Sequence, residues 1–351
     1  QPSLRLVVDL IEWSTRELPR FHPISISGYH IREAGATAAE ELAFKLADGF
    51  AYVELGQQRG LDVDVFSPGL SFFFNAHIDF FEEIAKLRAA RRIWARWLRD
   101  RYGATTAAAM RLRFHTQTAG VSLTAQQPMN NVVRTAIEAL AAVLGGTQSL
   151  HTNALDEVLA LPTEDAAKLA LRTQQVIAYE SGVPDVVDPL GGSWFVEDAT
   201  DRIEALAEEI FSEIDRMGGG SMLEGVLAGI EQGWFQRRIA ESAFREQERY
   251  ESGDLAKVGV TDFVDANEAP IQTLVIGEEA ERAQVESIRR TRADRDSSAA
   301  EDALLALKEA ATTDANLMEP LIACARARGT EGEIVGALAS VFGTYRETPA
   351  F

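Results

Sequence analysis

The sequence has a single cysteine, Cys324, and so lacks both a disulfide framework and a multi-thiolate metal site. It has no apolar run of about 18 residues, so no transmembrane helix is expected. Its first residues also lack the basic segment, followed by an apolar one, that is typical of a secretory signal. From these absences we expect a cytoplasmic protein with no membrane partner.

Basic residues are in short supply, since 34 Lys and Arg stand against 54 Asp and Glu, for a formal net charge of −20. Nucleic acid is therefore excluded as a general partner, because phosphate binding needs a basic surface. The sequence also contains no GxxxxGKS/T loop, no GxGxxG after a strand and no HExxH. These absences exclude a P-loop, a Rossmann dinucleotide fingerprint and a zinc-protease helix.

The 351 residues do contain a repeated alternation of short apolar strands and long helices. Strands are predicted at 23–27, 70–75, 111–117 and 147–151, starting about 40 residues apart. Strand–helix repeats of this size predict a parallel α/β sheet. Helices are predicted at 4–18, 34–59, 79–100, 128–144 and 163–181.

The pattern changes after Gly191, beyond which the sequence is helical except for an isolated strand predicted at 258–263. A complete (β/α)8 barrel takes about 250 residues, but only four or five strand–helix units, the fifth strand at 186–187, precede Gly191. We therefore expect residues 1–190 to form the C-terminal part of a TIM-type (β/α)8 barrel. Residues 191–351 are expected to form a helical C-terminal region, and the N-terminal barrel strands are missing from this chain.

Polar side chains cluster where the predicted strands end. Tyr29 and His30 follow the first strand after Gly28, and His115 and Gln117 close the third. The carboxyl ends of barrel strands meet at one mouth, so these side chains are expected to converge there. The alternative is that the Gln and His residues only cap loops. The other members of the group are Asn75, His77, Gln148, His151 and Asn153.

The strongest pair in this group is Tyr29 beside His30. An aromatic hydroxyl next to an imidazole can donate hydrogen bonds to a carbonyl in a dry pocket. The two side chains could equally be packed beneath a loop. Asn153 and Glu157 stand four residues apart, on one helical face if the chain turns helical there, where they could hydrogen-bond a ribose.

Several long runs carry a family resemblance. They are SISGYHIREAG at 25–35, RFHTQTAG at 113–120, NNVVRT at 130–135, GGTQSLHTN at 145–153 and DPLGGS at 188–193. In this order they resemble the large, catalytic subunit of the methylmalonyl-CoA mutase family, over residues 3–265 or so. Two further runs, FFFNAH at 72–77 and TAGVSLTAQQ at 118–127, are more similar to the isobutyryl-CoA and 2-hydroxyisobutyryl-CoA mutases.

The resemblance implies a barrel of eight βα units whose core admits coenzyme A. It also implies adenosylcobalamin as cofactor and a radical 1,2-rearrangement of an acyl-CoA substrate. A radical reaction needs no strong base, but it does need the carbonyl held and water excluded. Neutral hydrogen-bond donors such as those found here suit that requirement.

The same resemblance implies roles for individual residues. His30 resembles the imidazole that hydrogen-bonds the thioester carbonyl, and Tyr29 the aromatic side chain between substrate and corrin. His115 and Gln117 resemble the pair that reaches the thioester and the coenzyme A arm. The residues implied to face the adenosyl group and the corrin are Gln148, Asn153 and Glu157.

Two departures from the family pattern limit these implications. The cobalamin module of the family carries Asp-x-His-x-x-Gly, whose His ligates cobalt, but no histidine here has Asp two residues before it. We therefore expect the cobalt ligand on a separate, cobalamin-binding small subunit. Gly69 stands where the methylmalonyl branch tends to carry Arg, so one contact to an anionic group of that substrate is in doubt.

Three hypotheses therefore stay open. The chain is the catalytic subunit of a mutase for a short-chain branched acyl-CoA, methylmalonyl-CoA mutase itself, or a non-catalytic fragment that binds coenzyme A or a partner. Under each of them an open half-barrel has unpaired strand edges, which associate unless they are covered. We therefore expect an oligomer, or a chain stable only beside the missing barrel strands.

Overall fold

The computed structural model describes residues 2–346, and within that range it contains one four-stranded sheet. The strands lie in the order β1-β2-β3-β4, and β2, β3 and β4 run parallel to one another. This arrangement confirms the predicted α/β class with parallel strands. The strands are β1 (Ile24–Ser27), β2 (Leu70–Ala76), β3 (Phe114–Thr118) and β4 (Ser149–His151).

Helices connect and follow the strands, close to the bounds that the periodicity predicts. They are α1 (Pro2–Glu17), α2 (Tyr29–Glu33), α3 (Ala38–Gln58), α4 (Val63–Phe66), α5 (Phe80–Asp100), α6 (Asn130–Leu144), α7 (Glu164–Tyr179), α8 (Trp194–Met217), α9 (Met222–Glu231), α10 (Trp234–Ser252), α11 (Glu278–Asp294), α12 (Ser297–Ala311), α13 (Met318–Arg326) and α14 (Glu331–Phe342). No helix within residues 2–346 is long and apolar enough to cross a membrane.

The two faces of the sheet differ in character because side chains alternate along each strand. One face is buried, and there Phe72 packs edge-to-face on Trp94 of α5 with ring centroids 4.9 Å apart. The other face is polar and only partly covered. Its middle row pairs Phe73 with His115 and His115 with Ser149, and the same face carries Ser25, Ser27, Ser71, Gln117 and His151.

Helices α3, α5 and α8 pack against one another around aromatic rings. The ring of Phe50 in α3 stacks on Trp97 of α5 with centroids 4.5 Å apart, and it meets Phe211 of α8 edge-on at 5.5 Å. Phe50 and Phe211 are almost fully buried. Apolar burial of this size, together with aromatic geometry, is the main force holding the helices to the back of the sheet.

A row of ion pairs also joins α5 to α8. Arg88, Arg92 and Arg96 recur every four residues and therefore lie on one face of α5. Their partners follow in the same direction along α8: Glu197 for Arg88 (2.6 Å), Asp201 (2.7 Å) and Glu204 (2.5 Å) for Arg92, and Glu204 and Glu208 for Arg96. The row shows that residues beyond 190 pack on the same helical layer as residues before it.

The described chain separates into two compact units. One comprises residues 25–274, with the sheet and α2 to α10, and the other comprises residues 2–24 and 275–346. In the second unit α1 joins the C-terminal helices, since Arg5 donates to the carbonyl of Ala311 at 2.9 Å and Asp9 accepts from the amide of Leu317 at 3.0 Å. Neither unit begins or ends at residue 190. The division between a barrel part at 1–190 and a helical region at 191–351 therefore stays a prediction.

Two minor strand predictions are wrong. Residues 186–187 form a bend rather than a strand. Residues 258–263 form a turn with a single bridge between Val258 and Asp262, closed by a 2.7 Å hydrogen bond from the amide of Gly259 to Asp262. Gly259 has a φ of +84°, which favours glycine and ends any extended run.

Candidate functional site

The polar residues Tyr29 and His30, which follow β1, lie on a short helix and not in a loop. The sequence predicted a helix opening at 34, but α2 begins at Tyr29, directly after Gly28. The amide of Gly28 donates to the carbonyl of Phe73 at 2.9 Å. A Cβ on Gly28 would lie 2.9 Å from Cε of Lys45 and 3.0 Å from Cγ of Glu41, so glycine allows α3 to pack closely at this position.

Three of the predicted residues meet through hydrogen bonds. The side-chain nitrogen of Gln117 lies 3.0 Å from the phenol oxygen of Tyr29 and 3.0 Å from the side-chain oxygen of Asn153. Asn153 is buried, and its backbone amide donates to the hydroxyl of Thr118 at 2.9 Å. These hydrogen bonds therefore join the segments that follow β1 and β4 to the C-terminal end of β3.

Glu33, a residue that the sequence reasoning missed, holds this group together. Its carboxylate accepts hydrogen bonds from the side chain of Asn75 (2.7 Å) and from the amides of Gly120 (2.9 Å) and Val121 (2.8 Å). It thereby links α2 to the ends of β2 and β3. Burial raises the pKa of Glu33, and these hydrogen bonds oppose that shift. The one feature of the sequence that could have identified Glu33 as a site residue is its position four residues after Tyr29, on the same face of α2.

A buried ion network lies beneath the site. The carboxylate of Glu41 accepts from the amide of Asn75 at 2.9 Å, and Lys86 donates to the carbonyl of Asn75 at 2.8 Å and to Glu41 at 2.5 Å. Burial opposes ionisation of Glu41, but the charges of Lys86 and Lys45 outweigh it and lower the pKa of Glu41. Burial lowers the pKa of Lys45 despite its acidic neighbour. The network fixes the backbone of Asn75, which in turn contacts Glu33.

Aromatic contacts set the orientation of Tyr29. Its ring stacks on Phe73 with centroids 5.1 Å apart and meets His30 edge-on at 5.7 Å. Phe73 in turn meets His115 at 5.0 Å. Burial and the charge of Glu33 raise the pKa of Tyr29, so the phenol is a neutral donor at physiological pH. His30 stays exposed, with Nδ1 3.4 Å from the hydroxyl of Ser27.

The remaining predicted residues differ in how close they lie to this hydrogen-bonded group. Glu157 is half-buried, and its charge contributes to the raised pKa of both Tyr29 and Glu33, so its carboxyl group lies in their neighbourhood. His115 is the second residue of β3, not a residue at its end, and its Nδ1 lies 2.7 Å from the hydroxyl of Ser149. Burial, with the charge of His151, lowers the pKa of His115 and keeps it neutral.

Gln148 departs from its predicted position. It precedes β4, where its side-chain oxygen accepts from the amide of Phe114 at 2.8 Å and its nitrogen donates to the carbonyl of Gly146 at 2.7 Å. Phe114 is the first residue of β3, so Gln148 lies at the opposite end of the strands from Asn153. Its expected convergence with the other residues at the strand ends is therefore wrong, and a cofactor contact by Gln148 finds no support in its position.

The geometry thus brings Tyr29, Gln117 and Asn153 together, with Glu33 close by and His115 on the adjoining polar face of the sheet. The phenol, amide and imidazole groups are uncharged donors and acceptors. Such a set can hold and polarise a carbonyl without abstracting a proton from its substrate. It is suited to orienting a reactive species in a site from which water is excluded.

Comparisons with known proteins give one consistent result. The family model described as methylmalonyl-CoA mutase matches residues 1–344. The chain is 48% identical to the 2-hydroxyisobutanoyl-CoA mutase large subunit of Aquincola tertiaricarbonis over 100% of this chain and 62% of that protein. It is 46% identical to the methylmalonyl-CoA mutase of Rhizobium meliloti (99% and 48%) and 44% identical to the mitochondrial enzyme of Homo sapiens (99% and 46%). The chain therefore spans from about half to three-fifths of the length of these relatives.

Proposed function

The chain belongs to the methylmalonyl-CoA mutase family, and we propose that it is the catalytic subunit, or a large part of it, of an adenosylcobalamin-dependent acyl-CoA mutase. The reaction is a radical 1,2-rearrangement of a short-chain branched acyl-CoA of the isobutyryl-CoA or 2-hydroxyisobutyryl-CoA type. The observation that carries this proposal is the bridge of Gln117 between Tyr29 and Asn153.

The sheet is proposed to be the C-terminal half of a TIM-type (β/α)8 barrel. Three features support this: parallel strands in sequential order, helices covering one face, and strand ends that carry the polar group. The partly open face would then be the barrel interior. Its small serines, Ser25, Ser27, Ser71 and Ser149, leave room for an extended coenzyme A arm. The other barrel strands would come from the remainder of a longer protein or from a partner.

The residues present fit adenosylcobalamin. The side-chain nitrogen of Asn153 is buried and forms no well-aligned hydrogen bond among residues 2–346, although the phenol of Tyr29 lies close to it, so a ligand acceptor would satisfy it. When bound, adenosylcobalamin supplies the radical that such a rearrangement requires.

The chain's own residues have positioning roles in this proposal. His30 donates to the thioester carbonyl and stabilises the charge that develops on its oxygen. The ring of Tyr29, fixed on Phe73, separates the reacting carbon from solvent. Gln117 holds the hydroxyl of Tyr29, and His115 contacts the thioester end of the coenzyme A arm. Asn153 and Glu157 hydrogen-bond the adenosyl group.

The cobalt ligand is proposed to lie on a cobalamin-binding small subunit, and the support for a separate subunit is the printed name of one relative. The relative from Aquincola tertiaricarbonis is itself named a large subunit. We propose an oligomer that contains both components. The second candidate function is methylmalonyl-CoA mutase, favoured by the 44–46% identity to enzymes of that name. A non-catalytic fragment is the third.

The test is a reconstitution of the full-length protein that carries this chain with the cobalamin-binding subunit and adenosylcobalamin. Isobutyryl-CoA, 2-hydroxyisobutyryl-CoA and methylmalonyl-CoA are supplied separately, and the products are separated by chromatography. We expect turnover of one of the first two. Turnover of methylmalonyl-CoA alone would establish the second candidate. Absence of turnover with all three, in a preparation that binds cobalamin and coenzyme A, would establish the third.

A further inference from the structure

A cavity of about 350 Å³ lies beside the proposed reaction site and is lined by none of the seven residues predicted for that site. Its walls come from the segment after β2, the loop between β3 and α6, α6 itself, α10 and the turn that follows α10. A volume near the lower end of the ~300–1,000 Å³ range suits a compact molecule. Two adjoining cavities share lining residues with it. One shares His77, Tyr250 and Lys257, and the other shares His77, Ile78 and Tyr250.

The polar lining of this cavity is cationic or neutral. Lys257 and Arg134 are its charged residues, and no carboxylate lines it. This is unusual in a chain whose formal net charge is −20. Burial lowers the pKa of Lys257, and the neighbouring charge of Arg134 adds to that effect while Glu246, which lines the next cavity, opposes it. An anion between the two cations would relieve both the burial and the repulsion.

His77 is the neutral donor of the cavity. Its side chain is 8% exposed, and burial, with the charges of Arg32, Lys86 and Lys257, lowers its pKa to about 3. The imidazole is therefore uncharged at physiological pH and offers one N–H group. Tyr250 contributes a phenol from α10, and Ser122 contributes a hydroxyl from the loop between β3 and α6.

The remaining lining is apolar except for Asn130. Ile78, Val133, Ala256 and Val258 supply the apolar surface. A bare inorganic anion would leave these surfaces without a partner, whereas a carboxylate on a short aliphatic body would cover them. The cations themselves are held in place, since Arg134 donates to the hydroxyl of Thr124 (2.9 Å) and to the carbonyl of Val258 (2.7 Å).

From these features we propose that the cavity is a second ligand site, separate from the reaction site, that binds a short-chain aliphatic carboxylate. Its carboxylate lies between Lys257 and Arg134, and its aliphatic part lies against Val133 and Val258. Lys257 now lies 3.4 Å from the carbonyl of Val121, whose amide donates to Glu33.

The experiment measures binding by isothermal titration calorimetry to the full-length protein with its cobalamin subunit, using isobutyrate and, separately, inorganic phosphate. We expect isobutyrate to bind and phosphate to bind at least tenfold more weakly. Lys257→Met should weaken isobutyrate binding by roughly tenfold or more, because a hydrogen bond to a charged group is lost. Lys168→Met, an equal change of charge at an exposed position on α7, should leave it unchanged.

Two further variants separate this site from the reaction site. Ala256→Leu fills the cavity with both cations intact and should weaken isobutyrate binding, whereas Gln117→Met should impair turnover and leave isobutyrate binding unchanged. Lys257→Arg restores the charge and should restore binding. The proposal is overturned if isobutyrate does not bind, if phosphate binds as tightly, or if Lys257→Met and Ala256→Leu bind as the wild type does. Each of these results stands whether or not the protein is a mutase.

Discussion

The side-chain nitrogen of Gln117 lies 3.0 Å from the phenol oxygen of Tyr29, although the two residues are 88 positions apart in the sequence. The contact joins the helix after β1 to the last part of β3. Because the same nitrogen also reaches Asn153, one amide group fixes the relative positions of three strand ends. The site therefore depends on this amide more than on any local motif.

Replacing Gln117 by Met should lower turnover by roughly tenfold or more, because Met keeps the length of the side chain but leaves Tyr29 and Asn153 without their shared donor. The measurement is kcat with saturating acyl-CoA in the reconstituted enzyme. Gln148→Met is the matched control, since Gln148 bonds only the start of β3 and its own turn in the structure. An equal decrease of kcat in both variants would indicate that Gln148 also contributes to the reaction site.

Replacing His30 by Ala should lower turnover about a hundredfold or more, since loss of one preorganised donor to a developing oxyanion costs on the order of 3 kcal/mol. Binding of coenzyme A should change little, because the coenzyme contacts other residues. His22→Ala, also at an exposed histidine, is the control. Wild-type kcat in His30→Ala would show that the imidazole takes no part in the rearrangement.

Replacing Gly120 by Ala should destabilise the protein by about 1–3 kcal/mol, as overpacking in a filled site does. The new Cβ would lie 3.1 Å from a carboxylate oxygen of Glu33 and 3.4 Å from Tyr29 and Asn153. The free energy of unfolding is measured by denaturant titration. Gly336→Ala in α14 meets nothing within 4 Å and should be neutral or stabilising. Equal effects of the two substitutions would contradict the close packing at Gly120.

Replacing Glu138 by Gln should stabilise the protein at pH 8 and have little effect at pH 5. Burial, with the charge of Glu83, raises the pKa of Glu138 well above its ordinary value. Its folded state therefore binds more protons than the unfolded state, so wild-type stability falls as pH rises from the ordinary carboxyl pKa toward the raised one. Gln removes that dependence.

Thermal unfolding midpoints of wild type and Glu138→Gln at pH 5 and pH 8 give the measurement. The difference between the two proteins should widen with rising pH. Glu241→Gln, at an exposed position on α10, should show the same small difference at both pH values. A difference for Glu138→Gln that is independent of pH would mean that the carboxyl group titrates normally in the folded protein.

The regular part of the fold could be predicted because it depends on local periodicity. The apolar spacing in α1, α5 and α7 fixes helices whose bounds fall within two residues or so of the prediction. What periodicity cannot tell is which helix an amphipathic face packs against. The partners of α1 lie about 300 residues later, at Ala311 and Leu317, and no signal near α1 identifies them.

The site could be predicted only in part, for a physical reason. Strand ends in a parallel sheet share an edge, so the meeting of Tyr29, Gln117 and Asn153 follows from topology. The role of Glu33 depends on the backbone N–H groups of Gly120 and Val121, which every residue except proline carries, so no residue type marks them in the sequence. Gln148 was misplaced because it was grouped with the strand ends although it lies near the start of the strand predicted at 147–151. In the structure β4 begins one residue after it, so its side chain lies at the amino end of the strand.

The ion pairs between α5 and α8 have a consequence for how the two helices find their alignment. Arg92 meets two acids and Arg96 meets two, with Glu204 shared, so sliding α8 by one turn would still give each arginine a carboxylate. The ion pairs alone therefore do little to distinguish the observed alignment of α8 from one shifted by a turn. The stack of Phe50, Trp97 and Phe211, and the 3.0 Å hydrogen bond from Trp97 to Glu208, permit a single alignment. High salt should accordingly loosen the attraction between α5 and α8 while leaving their alignment unchanged.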